Sequence, residues 1–155
     1  MGEYMEKNYE INHDTLAVIS LKNGKTKVIE YEKEFILNDK AYEVMEHSCG
    51  YFGSSYQGRV DGSKKILGSA YKVPVIVEES NDLIFFPTSS PDLKDCSWFS
   101  LSSIDSINKN KRTTQICLKN GKKVAVSVSK NSLENQLLRA TRLKYLINDR
   151  KVAKK

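Results

Sequence analysis

The residues of this sequence best equipped for chemistry lie in one stretch, Ser48-Cys49-Gly50-Tyr51-Phe52-Gly53-Ser54-Ser55-Tyr56-Gln57-Gly58-Arg59. Three glycines and three serines in twelve residues argue against a regular helix, and three interleaved aromatics are too costly to leave on an idle linker. The stretch therefore reads as a loop that something must touch. Cys49, Tyr51 and Phe52 are expected to anchor it inward, leaving Ser54 to Arg59 as an exposed tip. Small residues let backbone approach a phosphate or a groove closely. Ser54, Ser55 and Gln57 offer hydrogen bonds, Tyr56 a flat ring, and Arg59 with Lys64 and Lys65 positive charge.

Catalytic readings of the same residues fail on spacing. Gly53-x-x-x-x-Gly58-Arg59-Val60 approaches a phosphate-binding P-loop, but Arg59 stands where a lysine should reach the terminal phosphate, and Val60 cannot ligate magnesium. Gly53-Ser54-Ser55-Tyr56 is not a G-x-S-x-G nucleophile turn, and His13 and His47 are the only histidines. His47 near Cys49 invites a thiol reading, yet no third residue is identifiable to orient the pair, so a packed cysteine is expected. Cys49, Cys96, Cys117 and His47 lack the paired ligand spacing of a structural zinc site. No enzyme activity, cofactor or metal is expected, and binding chemistry remains. There is no helix-turn-helix, zinc-finger or RNP signature, which leaves a minor-groove reader or a single-strand binder open.

Charge points the same way. Residues 133–155 carry seven basic side chains against two acidic ones, +5 of the chain's net +6. A polyanion, either nucleic acid or an anionic membrane surface, is the partner class this implies. From Ser132 the apolar residues Leu133, Leu137, Ala140, Leu143 and Ile147 share one side of a helix, with Asn135, Arg139, Arg142 and Arg150 on the other. Asn131 or Ser132 is the expected cap, with Glu134 completing a capping box. Leu138, Tyr145 and Leu146 interrupt the polar side, so it could also meet a protein.

The rest of the chain must position these groups. At 155 residues it suits one domain, with 1–12 and 149–155 frayed. It has no apolar run of membrane-spanning length, no signal peptide and three widely separated cysteines, so a cytoplasmic protein with reduced thiols is expected and no membrane partner. Ala17–Leu21 and Lys27–Tyr31 read as a hairpin about Asn23-Gly24. Glu34 to Leu37 and Ala41 to Glu46 read as a second strand pair, and Lys64–Leu67 with Val73–Val77 as a third. Leu83–Phe86 is a short apolar strand ended by Pro87, followed by a loop at 88–91; Trp98–Ile107 resists assignment between helix and turn. Thr114–Val128 is the best-determined hairpin. A three-residue loop with Gly121 left-handed puts Ile116, Leu118, Val124, Val126 and Val128 on one face, where a two-residue loop mixes the faces. Ile19-x-Leu21-Lys22-Asn23-Gly24-Lys25 recurs as Ile116-x-Leu118-Lys119-Asn120-Gly121-Lys122, which reads as convergence on a good turn. The predicted class is α+β, β-rich through its N-terminal and central parts, built from antiparallel hairpins, with a C-terminal amphipathic basic helix.

Ser48-Cys49-x-Tyr51-Phe52-Gly53-Ser54-Ser55-Tyr56-x-Gly58-Arg59, then Phe86-Pro87-Thr88 leading to Cys96-x-Trp98-x-Ser100, then Asn120-Gly121-Lys122, and finally Ser132-Leu133-Glu134-Asn135-Gln136 with Arg139, resemble the ComK family of bacterial competence transcription factors. The order and approximate spacing match across nearly the whole chain. The resemblance implies an activator of DNA-uptake genes that binds paired A·T-rich boxes in double-stranded DNA, chiefly through the minor groove, as a dimer or tetramer, and recruits or stabilises RNA polymerase. The residue chemistry agrees, because arginine and lysine are drawn to a narrow A-tract groove while Asn, Gln and Ser suit its degenerate acceptors. The DNA-contacting set expected on these grounds is Ser54, Ser55, Tyr56, Gln57, Arg59, Lys64, Lys65, Asn135, Arg139 and Arg142. Longer members of the family continue past the basic helix with a tail used in adaptor-mediated proteolysis. This sequence stops at Lys155, which puts regulation by a Clp-protease adaptor in doubt, and a non-activating regulatory paralogue docking on an acidic protein is the alternative.

Overall fold

The computed structural model describes residues 3–4, 8–68, 71–80, 82–91 and 96–153, the first pair as backbone only. Seven strands form one sheet: β1 (Glu3–Tyr4), β2 (Thr15–Ser20), β3 (Thr26–Glu30), β4 (Glu34–Leu37), β5 (Val75–Glu78), β6 (Leu83–Pro87) and β7 (Trp98–Ser100). Their order is β1-β4-β3-β2-β7-β6-β5, antiparallel throughout except for β1 beside β4. A smaller sheet, in order β10-β9-β8, contains β8 (Ile104–Asn110), β9 (Thr113–Leu118) and β10 (Lys123–Val126). Three helices complete the described residues: α1 (Ala41–Tyr51), α2 (Tyr56–Leu67) and α3 (Lys130–Ala153). The protein is α+β and β-rich, its sheets are built mainly from antiparallel hairpins, and it has the expected C-terminal helix.

The large sheet is covered on both faces. Val18, Val28, Phe35, Val75, Val77, Phe85 and Trp98 belong to a core shared with Val44, Met45 and Cys49 of α1. Ile29, Ile76, Ile84, Phe86 and Phe99 belong to a second core shared with Ile107, Ile116 and Leu118 of the small sheet and Leu133, Ala140 and Leu143 of α3. Because side chains alternate along a strand, Leu83 and Phe85 feed the first core while Ile84 and Phe86 feed the second. That two-sided burial is why Leu83-Ile84-Phe85-Phe86 reads as an unbroken apolar run.

Both Lys-Asn-Gly hairpins take the same three-residue loop. In the first, the Leu21 amide donates to Lys25 O at 2.9 Å and Gly24 N to Leu21 O at 3.1 Å; in the second, Leu118 N donates to Lys122 O at 2.8 Å and Gly121 N to Leu118 O at 2.9 Å. Asn23 and Asn120 accept, through Oδ1, the amide two residues on, each at 3.0 Å. Gly24 and Gly121 sit at φ +81° and +89°, where a side chain is strained. The loop sets Val124 opposite Ile116 and Val126 opposite Thr114, the register that keeps the apolar residues on one face.

The residues between β4 and β5 depart from expectation. Ala41–Glu46, expected as a strand, opens α1, where Ala41, Val44, Met45, Ser48 and Cys49 are buried at helical spacing. Glu43 Oε1 accepts the Lys40 amide at 2.8 Å and fixes the helix start. Lys64–Leu67, also expected as a strand, is the last turn of α2, closed by left-handed Gly68, whose amide donates to Lys64 O at 2.8 Å. The Gly/Ser/aromatic stretch is therefore not a loop: it spans the end of α1, a turn at Gly53 (φ +86°) and the first turn of α2. Gly58 and Gly62 inside α2 each cost about 1 kcal/mol relative to alanine, against which Tyr56, Val60, Ile66 and Leu67 pack on the two cores.

Other elements are sharper than the sequence made them. Trp98–Asn110 resolves as β7, a single 3-10 turn at Leu101–Ser103, and β8. The α3 cap is Ser129 rather than Asn131 or Ser132; its Oγ accepts the Ser132 amide at 3.2 Å. Residues 8–12 are irregular but not frayed, since Tyr9 and Ile11 are buried and Ile11 N donates to Ser48 Oγ at 3.0 Å. The helix continues past 149 to Ala153, and the 154–155 tail lies outside the described residues.

Candidate nucleic-acid interface

Of the expected exposed tip, the first turn of α2 presents only part. Ser54, Ser55 and Gln57 are exposed. Ser55 caps the helix, its Oγ accepting Gly58 N at 3.0 Å, and Gln57 Nε2 donates to Asp61 Oδ1 at 2.9 Å. A Cβ at residue 58 would lie 3.0 Å from that capping oxygen, which explains the glycine. Tyr56 is not a free ring: it is half-buried edge-on against Trp98, with ring centroids 6.0 Å apart at 89°. Tyr51, expected inside, is 64% exposed. The two tyrosines have exchanged the roles the sequence assigned them, because the helices rotate Tyr56 inward and Tyr51 outward.

Arg59 turns back toward α1. Its Nε is enclosed without a described hydrogen-bond partner, and its charge acts on Cys49. Burial pushes the Cys49 thiol up to about 11, the Arg59 charge draws it down and Glu46 raises it further. His47 is engaged with Glu10 at 2.6 Å. Cys49 is thus a buried thiol held neutral, as a packing residue should be, and offers no thiolate nucleophile.

The basic helix and the α2 surface, whose relative placement the sequence left open, meet through residues 71–72. The Arg139 Nη1 donates to Tyr71 O at 2.9 Å and to Gln136 Oε1 at 3.1 Å. Gln136, 2% exposed, donates its two amide hydrogens to Lys72 O at 2.8 Å and Pro87 O at 2.9 Å. This holds Lys72 at φ +45° and leaves the Tyr71 ring exposed. A cleft of about 190 Å³ runs between α2 and this segment, lined by Gln57, Val60, Lys64, Tyr71 and Lys72 among others. Lys64 and Gln57 are thereby linked to Arg139, while Lys65, Asn135 and Arg142 are exposed on the outer sides of their helices. Tyr71 and Lys72 were missed because no periodicity marks them. Lys109, Lys111 and Arg112 lie close together in the sequence but belong to none of the motifs read from it.

The sequence profile described as ComK protein matches residues 6–152. The chain belongs to the ComK family. Over 148 residues it is 34% identical to the competence transcription factor of Bacillus subtilis (strain 168), a match covering 93% of this chain and 77% of that protein. No solved structure matches. Much of the ComK-type signature is architectural in this chain: Ser48 takes the Ile11 amide, Ser55 caps α2, Thr88 Oγ1 accepts Ser97 N at 3.1 Å, Trp98 supports Tyr56, and Gln136 with Arg139 pins residues 71–72. Among the described residues no helix is long and apolar enough to cross a membrane.

Proposed function

We propose that the protein is a cytoplasmic, nucleoid-associated transcription factor of the competence type. It binds A·T-rich double-stranded DNA mainly through the minor groove, as a dimer or tetramer, and activates DNA-uptake genes by engaging RNA polymerase. Family membership supports the class of function. The observation that carries the DNA reading is the continuity of Gln57 and Lys64 on α2 with Tyr71, Lys72 and Arg139, a surface of cations, an amide and an exposed ring. The exposed Ser54, Lys65, Asn135 and Arg142 extend it. Ser55 and Tyr56 act as its supports, capping α2 and packing against Trp98, and Arg59 adds positive charge beside Cys49. Amide and cationic donors suit the degenerate acceptors and negative potential of a narrow A·T groove.

Gel-shift titrations against A·T-box and G·C-rich duplexes, with a minor-groove drug as competitor and salt varied, test this. Tight, drug-sensitive binding to the A·T duplex is expected. Equal weak binding to both, unaffected by the drug, would refute the minor-groove reading. A second reading, a non-activating paralogue that docks on an acidic protein, is favoured by one feature: Leu138 and Tyr145 stand 65% and 67% exposed on α3 beside Arg142. Absence of a shift with any duplex would favour it.

A further inference from the structure

A second cleft, of about 430 Å³, opens at the free end of the small sheet, between the β8–β9 turn and the link from β10 into α3. Its lining carries four cationic side chains, Lys109, Lys111, Arg112 and Lys130, and no carboxylate. None of the four is ion-paired among the described residues. Like charges gathered round a concavity repel one another and raise the local positive potential, so the arrangement favours an anion. The turn holds Lys111 at φ +54°, a conformation that glycine or asparagine adopts more readily, yet a lysine occupies it. Ser127 adds a hydroxyl group to the lining, while the Thr113 hydroxyl donates to Asn110 O at 3.1 Å and so braces the turn.

This cleft is separate from the α2–α3 surface. Lys130 and Arg139 are nine residues apart on α3, which is about 14 Å along the axis and half a turn around it. We propose that the cleft grips the phosphodiester backbone of DNA, as a contact distinct from the surface that reads the groove. The inference rests on the proposed function. Arginine matches phosphate with a two-pronged fork, lysines supply point charges, and the Ser127 hydroxyl donates to a remaining phosphate oxygen. Such contacts carry no base information, so the cleft sets affinity and position for any duplex sequence.

The test is a salt series of gel shifts with the full chain and its Lys109→Ala/Arg112→Ala variant, on the A·T-box and the G·C-rich duplex. An Arg112→Gln/Lys130→Gln variant serves as a second, milder neutralisation, and Lys123→Ala, on an exposed lysine outside the cleft lining, as a charge control. Loss of each phosphate contact should lower the slope of log K against log salt by about 0.9. The cleft variants should therefore bind both duplexes about tenfold or more weakly at low salt, with slopes reduced by about 1 to 2, while the control behaves as wild type. Unchanged urea midpoints confirm that the variants fold. Variants that match wild type in affinity and slope on both duplexes overturn the cleft, as does a loss confined to the A·T duplex. Failure of the wild type to bind any duplex instead refutes the proposed function and removes the basis of this contact with it.

Discussion

Gln136 is the residue whose loss should be felt in both fold and function. In Gln136→Leu, Pro87 O and Lys72 O lose their donor and Arg139 loses an acceptor, with little change of volume. A buried carbonyl left without a partner costs about 1–3 kcal/mol. Pro87 is buried and should bear most of that, whereas Lys72 is half-buried and can recover water. The sum is about 3 kcal/mol, or a Tm lower by about 6–12 °C in a chain of this size. Gln136→Glu is the sharper variant. It keeps the acceptor for Arg139 but sets a carboxylate against two carbonyl oxygens, so it should be at least as unstable at neutral pH. It should recover as the pH falls and the carboxyl protonates, regaining one donor. Urea denaturation at pH 5 and pH 7, with hydrogen exchange read at residues 71–73, measures both effects. A leucine variant within about 0.5 kcal/mol of wild type, or a glutamate variant indifferent to pH, would refute the claim that this side chain pins the segment.

Ser55→Ala removes the α2 cap and should cost about 1 kcal/mol in urea denaturation, with DNA affinity falling no further than that loss explains. Gly24→Ala and Gly121→Ala face open space at positive φ, so each should cost only backbone strain, about 1–2 kcal/mol, and the two losses should add in the double variant. Alkylation of the native protein at pH 8, followed by mass spectrometry, should modify half-buried Cys117 well before buried Cys49 and Cys96. Equal rates would contradict the packing. Burial raises the Cys49 thiol from 9.0 to about 11, so its contribution to stability is complete below about pH 9 and is lost as pH rises through about 11. Alkaline unfolding should accordingly be blunted in Cys49→Ala relative to its own stability at pH 8. Tyr9, raised chiefly by burial and then by its bond to Glu30, adds to the same alkaline loss and remains in that variant.

The hairpins were legible because their information is local. An Asn-Gly pair fixes the turn, and the alternation beside it fixes the register, so Val124 opposite Ile116 could be deduced without knowing what lay beneath. The helices between β4 and β5 were not, because their glycine and serine content points to a loop while only the residue spacing points to a helix. Ala41, Val44, Met45, Ser48 and Cys49 repeat at helical intervals, and Ser55 and Gly68 are a cap and a terminator bracketing α2. Tertiary packing overrides the propensity of Gly58 and Gly62. The interface divided in the same way. Residue types identified Lys64, Gln57 and Arg139 as contact candidates, but only the fold shows that the Tyr56 ring packs edge-on against Trp98, that the Arg59 Nε is enclosed, and that a carbonyl of the unpatterned residue Tyr71 accepts from Arg139 of α3. Long-range partners of that kind leave no trace in local periodicity.

The place of β7 in the large sheet has a consequence for how the chain must be made. Strands β1 to β4 and strands β5 to β6 are two separate runs of sequence, and β7 alone joins them, through Ala17 opposite Phe99 and Val18 opposite Trp98 on one side and Phe86 opposite Phe99 on the other. During synthesis β2 and the very apolar β6 each emerge with one edge unpaired, and both wait for a segment of three residues that comes last. Such edges are templates for pairing with other chains. The nascent protein is therefore open to edge-to-edge pairing until Trp98–Ser100 is in place, and closure of the sheet over that long separation should slow its folding.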